Sequence, residues 1–342
     1  MTRMTVASFF RTRLFLFLGI LVFCWPSALQ AQTLPSAHGR DSKSRVTVAK
    51  ISYHDWPHSY LLTNGTVEVI VVPEVGRVMQ FHFVGEDAIF WENPKLLGKS
   101  PDPTAKDWQN FGGDKTWPAP QADWPKMIGR EWPPPATFDS MPVKAETHDG
   151  VIELINPIEP AYGIRARRTI SLDPHHPVLT ITTVYEKQQG DPVKVGIGVI
   201  TQFREPERAF MLLPPKSHFP KGYAQLQWTT PAELKVAGRV LSLKGGIQSQ
   251  SGSDANTLVW MDSKYVVRID SPRVSKGEYA DEGANAIIYT SPSADGYIEL
   301  EPFGPLRTMK IGDRIERTVK YTLSRRTEQD SETEISKIAK PR

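Results

Sequence analysis

The sequence predicts an all-β chain folded as a large antiparallel β-sandwich. Two observations carry that prediction. Short runs with alternating apolar positions recur along the chain, separated at close intervals by Gly, Asn, Asp and Pro turns. No amphipathic helix of useful length lies between them, which excludes alternating β-α units and a parallel sheet.

Taken in order, residues 1–31 combine Arg3, Arg11 and Arg13 with an apolar run from Leu14 to Phe23 and the small-residue exit Ser27-Ala28-Leu29-Gln30-Ala31. That is the pattern of a secretory signal peptide, too short to span a bilayer, so cleavage near Ala31 and export to a periplasmic or extracellular space are expected. Cys24, the single cysteine, would leave with it. The three arginines also account for the whole charge excess, because 41 basic residues less those three equal the 38 acidic ones. A neutral mature chain gives no reason to expect nucleic acid or an anionic membrane as partner. The sequence is silent on oligomeric state.

Residues 32–47 are polar and read as a flexible lead-in, and the folded domain is expected over 48–324. Asn64-Gly65 joins Ser59–Thr63 to Thr66–Val72 as a hairpin; it is also a glycosylation sequon, but the tight turn explains it. Pro73–Gly76 turns the chain into Arg77–Phe83, and Ala88–Trp91 is expected as a short strand. Residues 101–135 hold eight prolines and four of the nine tryptophans, and read as an ordered irregular insertion. Further strands are expected over 143–147, 151–155, 164–171, 178–186, 193–203, 265–269, 286–290, 297–301 and 314–323. The stretch 210–250 is weaker in pattern and suits long connections, and 325–342 is a polar tail.

Within the insertion, Asn110 to Gln121 has neither helical nor strand periodicity. Gly112-Gly113 permits positive φ, so Asn110, Asp114, Lys115 and Trp117 can converge on one point of a loop. Glu299 and Glu301, two apart on a strand, share one face about 6.5 Å apart. On 193–203, Gly196, Gly198 and Gln202 share a face cleared either for a ligand or for sheet packing. Arg77 alternates with Met79 and Phe81 and is expected to point inward, toward a glutamate or a substrate. Trp91 and Trp117 could stack on a sugar ring or belong to the core. His82 reads as structural and His175-His176 as an exposed turn. No cluster has zinc or calcium ligand spacing, and no cofactor is implied.

Five stretches carry a resemblance: 72–81, Phe90-Trp91-Glu92-Asn93-Pro94, 112–120, Thr201-Gln202 and 297–306. In that order they resemble the galactose-mutarotase-like β-supersandwich of aldose epimerases, and more closely its DUF4380 branch. The resemblance implies a carbohydrate ligand on a concave sheet, between an acid and a base that face the anomeric carbon. The glutamate that takes the anomeric proton would be Glu299 or Glu301. The histidine that protonates the ring oxygen has no counterpart, since Thr201-Gln202 lies where the middle-strand acid is expected. Lys115 is then the substitute acid, with Asp114 as its partner or as a base. Two functions stay open on this reading: an enzyme of epimerase type, or a non-catalytic sugar-binding or envelope-associated protein.

Overall fold

The computed structural model describes residues 46–102 and 104–340. The signal segment and almost all of the lead-in lie outside the described residues. Two sheets, antiparallel throughout, share one apolar core. The first has eleven strands and opens as a meander through Thr47–Tyr53, Trp56–Thr63, Val67–Val72 and Arg77–Phe83. It continues through Asp114–Ala119, Val193–Arg204, Tyr297–Pro302, Ala286–Thr290, Ser249–Ser253 and Ala224–Trp228, with Arg307–Met309 paired to one end of Val193–Arg204. The second sheet has ten strands, in the order Lys235–Ala237, Val240–Leu243, Arg208–Leu212, Thr257–Met261, Tyr265–Asp270, Arg314–Arg325, Val178–Lys187, Ile164–Leu172, Val151–Glu159 and Lys144–His148.

Alternation decides which face each strand buries. Ile164–Leu172 buries every second residue, and so do the inner positions of Arg314–Arg325. Val69, Phe81, Val199 and Leu300 of the first sheet meet Ile181, Trp260, Val319 and Leu323 of the second in one cluster. Each such side chain, fully buried, contributes about 1.5–3 kcal/mol.

Several expectations need correction. Ala88–Trp91 is not a strand; it makes only an isolated bridge, Phe90 to Phe203. The stretch 210–250 holds paired strands, not long connections, and their short lengths hid the alternation. The polar tail carries a helix, Ser331–Ile338, whose first turn is capped by Asp330 accepting from the Thr333 amide at 2.8 Å. Ile335 anchors that helix in an apolar cluster with Phe210, Val259 and Met261. On Arg77–Phe83 the register shifts between Ile70 and Val71 of the partner strand. That bulge puts Val78 and Phe81 in the main core and Met79 in a separate cluster, so Arg77 does not share a face with Phe81. Asn64 is buried, and its amide donates to the carbonyls of Asp173 and His176 while its oxygen accepts from Thr66 and Val67. The turn consumes the sequon's asparagine.

The largest correction concerns the segment expected to be a loop. Asp114–Ala119 is a strand with all six residues buried, paired along its length with Val193–Arg204. On its other side only Val78 pairs with Asp114, so Pro118 removes no ladder donor there. Gly112 and Gly113 fit this approach: both have positive φ, and a Cβ on either would lie within 2.5 Å of a backbone oxygen, that of Trp91 or of Val78.

A strand sends successive side chains to opposite faces, so Asp114 points into the space between the sheets. There its carboxylate is bound by Arg168 and accepts from Thr201 Oγ1 at 2.6 Å and Tyr321 Oη at 2.8 Å. Thr116 follows on the same face and meets Tyr185 Oη at 2.8 Å. These polar contacts tie the first sheet to Ile164–Leu172, Val178–Lys187 and Arg314–Arg325 of the second. Removing one partner of a buried ion pair strands the other charge, at a cost of about 3–5 kcal/mol. Asp114→Ala is therefore expected to lower unfolding free energy by that order in urea titration. A loss below about 1 kcal/mol would show that the network does not hold the sheets.

Candidate functional site

Lys115 emerges on the face opposite Asp114. Its Nζ lies 3.4 Å from Glu299 Oε1, and 5.0 and 5.6 Å from the ring centroids of Trp117 and Trp108. Register explains the meeting. Lys115 pairs with Ile200 and Gln202 with Glu299, so three adjacent strands present side chains to one outer face. Gln202 is fully buried there, and neither amide atom makes a well-formed hydrogen bond. It stands close enough to Glu299 to favour that group's charged form.

Above this floor lies a cavity of about 340 Å³. Glu299 and Glu301 enter it from the floor, and Asp281 from a turn where both Asp281 and Glu282 have positive φ. Its walls are aromatic. Trp108, Trp117, Trp124 and Trp132 form one cluster, with Trp108 and Trp132 centroids 4.9 Å apart and Trp124 stacked on Trp132 at 6.0 Å. Tyr289 and Tyr297 stand on the other side, with Trp228 at the mouth, 50 % exposed and 5.6 Å from Tyr289. Gln227, Gln248 and Gln250 add amides. Aromatic faces with a few convergent polar groups are what an amphipathic small molecule requires.

Burial sets the protonation of the floor. Both glutamates are about 95 % buried, Glu299 at 5 % exposure and Glu301 at 4 %. Burial raises the Glu299 carboxyl, while the attraction of Lys115 pulls it partly back. Among the described residues no cation forms an ion pair with Glu301. Burial, then the like charge of Glu299, then that of Asp281 push it well above the usual carboxylate range. Lys115 is pushed down to about 8, chiefly by burial, against the opposing pull of Glu299. Both carboxyls are therefore raised, Glu301 the more strongly, and of the two Glu299 is the one in contact with Lys115. Among the described residues no group of His, Cys, Asp and Glu could hold a metal ion.

No protein-family model matches the sequence, and no curated protein does. Solved structures match the whole sandwich. A galactose mutarotase-like protein from Lactobacillus casei is similar at TM-score 0.52 and 10 % identity, over 78 % of this chain and 100 % of its own. The chain has the galactose mutarotase-like fold. A candidate aldose 1-epimerase of Klebsiella pneumoniae is similar at TM-score 0.54 and 11 % identity, covering 86 % of this chain and 85 % of its own. Another, from Escherichia coli K12, gives 0.51 and 12 % identity over 78 % and 99 %.

The mutarotase-like sheet brings Lys115, Gln202, Glu299, Glu301 and Trp117 to one place. It sends Asp114 to the opposite face, where its oxygens are committed to Arg168, Thr201 and Tyr321, so Asp114 is not beside Lys115 as a base. Arg77 is fully buried and outside the cavity. It donates to the Asp139 carboxylate at 3.0 Å and to the Asp139 and Gly112 carbonyls, and forms no ion pair with either glutamate. Asn110 shapes the Gly-Gly turn by accepting from the Gly112 amide, and Trp91 packs behind the wall against Tyr297 at 4.6 Å. The space over Gly198 is taken by the Phe303 ring, so sheet packing, not a ligand, explains that glycine.

Sequence reasoning missed Asp139, whose oxygens accept from the indole nitrogens of Trp117 and Trp108, both at 2.9 Å, and so orient two cavity walls. It also missed Asp281, Tyr289 and Trp228. The spacing of tryptophans in 101–135 was a usable signal for the wall.

The state of Glu301 makes a pH prediction. Its folded pKa is raised, so its contribution to stability is complete below the unfolded value of about 4.3 and is lost as pH rises through the folded value. Glu301→Gln fixes the neutral form. Its melting temperature relative to wild type is expected to rise between pH 4 and pH 8. A difference independent of pH would show that Glu301 ionises freely.

Proposed function

We propose that the cavity binds a sugar and that Glu299 and Glu301 perform acid-base chemistry at its anomeric carbon. The observation that carries this reading is the pair of buried carboxyls, one of them paired with Lys115, on the floor of an aromatic-walled cavity. Glu299, paired with Lys115, takes the proton of the C1 hydroxyl. Glu301 gives its proton to the ring oxygen as the C1–O5 bond breaks. The C1 hydroxyl oxygen becomes the aldehyde oxygen, and reclosure on the other face returns both protons. Trp117 and the tyrosine wall cover the apolar faces of the ring, and the glutamines bind its hydroxyls. Lys115 acts through Glu299 as a positioning and charge-setting residue. The fold supports a sugar-related role by likeness to candidate aldose 1-epimerases.

A second reading, non-catalytic sugar binding, is favoured by one observation: no histidine is among the residues lining the cavity. The motif resemblance to DUF4380 and export through the segment 1–31 belong to this proposal as well.

The two readings separate by NMR exchange spectroscopy between anomers of a panel of reducing monosaccharides. Wild type is expected to accelerate exchange of at least one sugar. Glu299→Gln and Glu301→Gln should each lower that rate about 10²–10⁴-fold while binding persists. Binding without acceleration by wild type would leave the non-catalytic reading.

A further inference from the structure

The sugar cavity has a neighbour. A second cavity of about 580 Å³ lies along the insertion and shares Trp108 and Trp132 with the first. Asp139, which orients Trp108, lines its base. Trp132 forms the ridge between the two, and at 42 % exposure it is among the most exposed large apolar side chains. Leaving so large a ring in water costs hydration free energy. Its place is nevertheless fixed, by stacking on Trp124 and edge contacts with Trp108 and Trp117 at 4.9 and 5.7 Å. The rim beyond it is stiffened by Pro133, Pro134 and Pro142, and Arg130 is tied to the Pro133 and Pro134 carbonyls at 3.1 and 3.4 Å.

We propose that the ligand is an oligosaccharide, with its reducing-end unit over Glu299 and Glu301 and the next unit crossing Trp132 into the second cavity. The proposal rests on the sugar reading above and names its substrate class. Three features favour a saccharide chain. The first cavity is near the lower bound of small-molecule sites, about 300 Å³, so a longer ligand must leave it. The adjoining space has two of its aromatic residues, Trp108 and Trp132, in common with the first. Lys106 and Asp107, one of each charge, also line this cavity and provide donors and acceptors for hydroxyls. Three carboxyl groups in the first cavity disfavour an acidic sugar there, so the reducing-end unit is neutral.

Calorimetric titration of the full chain with glucose, galactose, mannose and xylose, and with the di- to tetrasaccharides of each, tests the proposal. For the sugar that binds, the trisaccharide is expected to bind at least about tenfold tighter than the monosaccharide. Ala105 is exposed and lines only the second cavity. Ala105→Trp should remove that gain and leave monosaccharide affinity within about twofold. Equal affinity for the monosaccharide and its oligomers would overturn the proposal and leave the sugar reading standing. A gain that survives Ala105→Trp would overturn the second cavity as its source. Binding of no sugar in either set would overturn both.

Discussion

The buried carboxylate of Asp114 is the constraint on which the site depends. It bonds to Arg168, Thr201 and Tyr321 between the sheets, and a carboxyl group buried in that position needs such partners to offset its lost hydration. By holding Asp114 inward, the network fixes the phase of a six-residue strand. Phase then dictates that Lys115 and Trp117 face outward, under and beside the cavity. A one-residue slip would exchange the two faces and place the lysine between the sheets. The network joining the sheets and the cavity floor are thus two sides of one strand.

The floor follows a second constraint, the cost of taking charge out of water. Two buried carboxyl groups and one buried ammonium group converge there, with the half-buried Asp281 beside them. Burial raises both glutamates, and the attraction of Lys115 pulls Glu299 partly back. Difference in partner, not in residue type, distinguishes the two glutamates of this strand. The walls are set by Asp139, which serves as acceptor for two indoles and for Arg77, so a charge outside the first cavity determines the orientation of rings inside it.

Much of the fold was legible because alternation is strong where a strand has one dry face, as in Ile164–Leu172. The strand pairing of Glu299 and Glu301 onto one face was legible for the same reason. Asp114–Ala119 was not. A strand buried on both faces has no alternation, and its composition of Asp, Lys, Thr and Pro resembles a turn. Its polar residues are strand residues because partners 54, 87, 184 and 207 positions away satisfy them. No local pattern records such partners. Asp281 and Trp228 were hidden for a different reason: both sit at positive φ, one in a turn and the other at the end of a strand with a register shift, where backbone geometry and not periodicity aims the side chain.

The account centres on a sugar whose anomeric end faces two buried carboxyls, one of them paired with Lys115. A crystal structure of the protein with a bound reducing saccharide tests it most directly. The account predicts a ring packed against Trp117, with its C1 hydroxyl and ring oxygen within about 3.2 Å of Glu299 and Glu301. A saccharide bound elsewhere, or seated in the cavity with its anomeric carbon turned toward Trp228 and away from both glutamates, would contradict it.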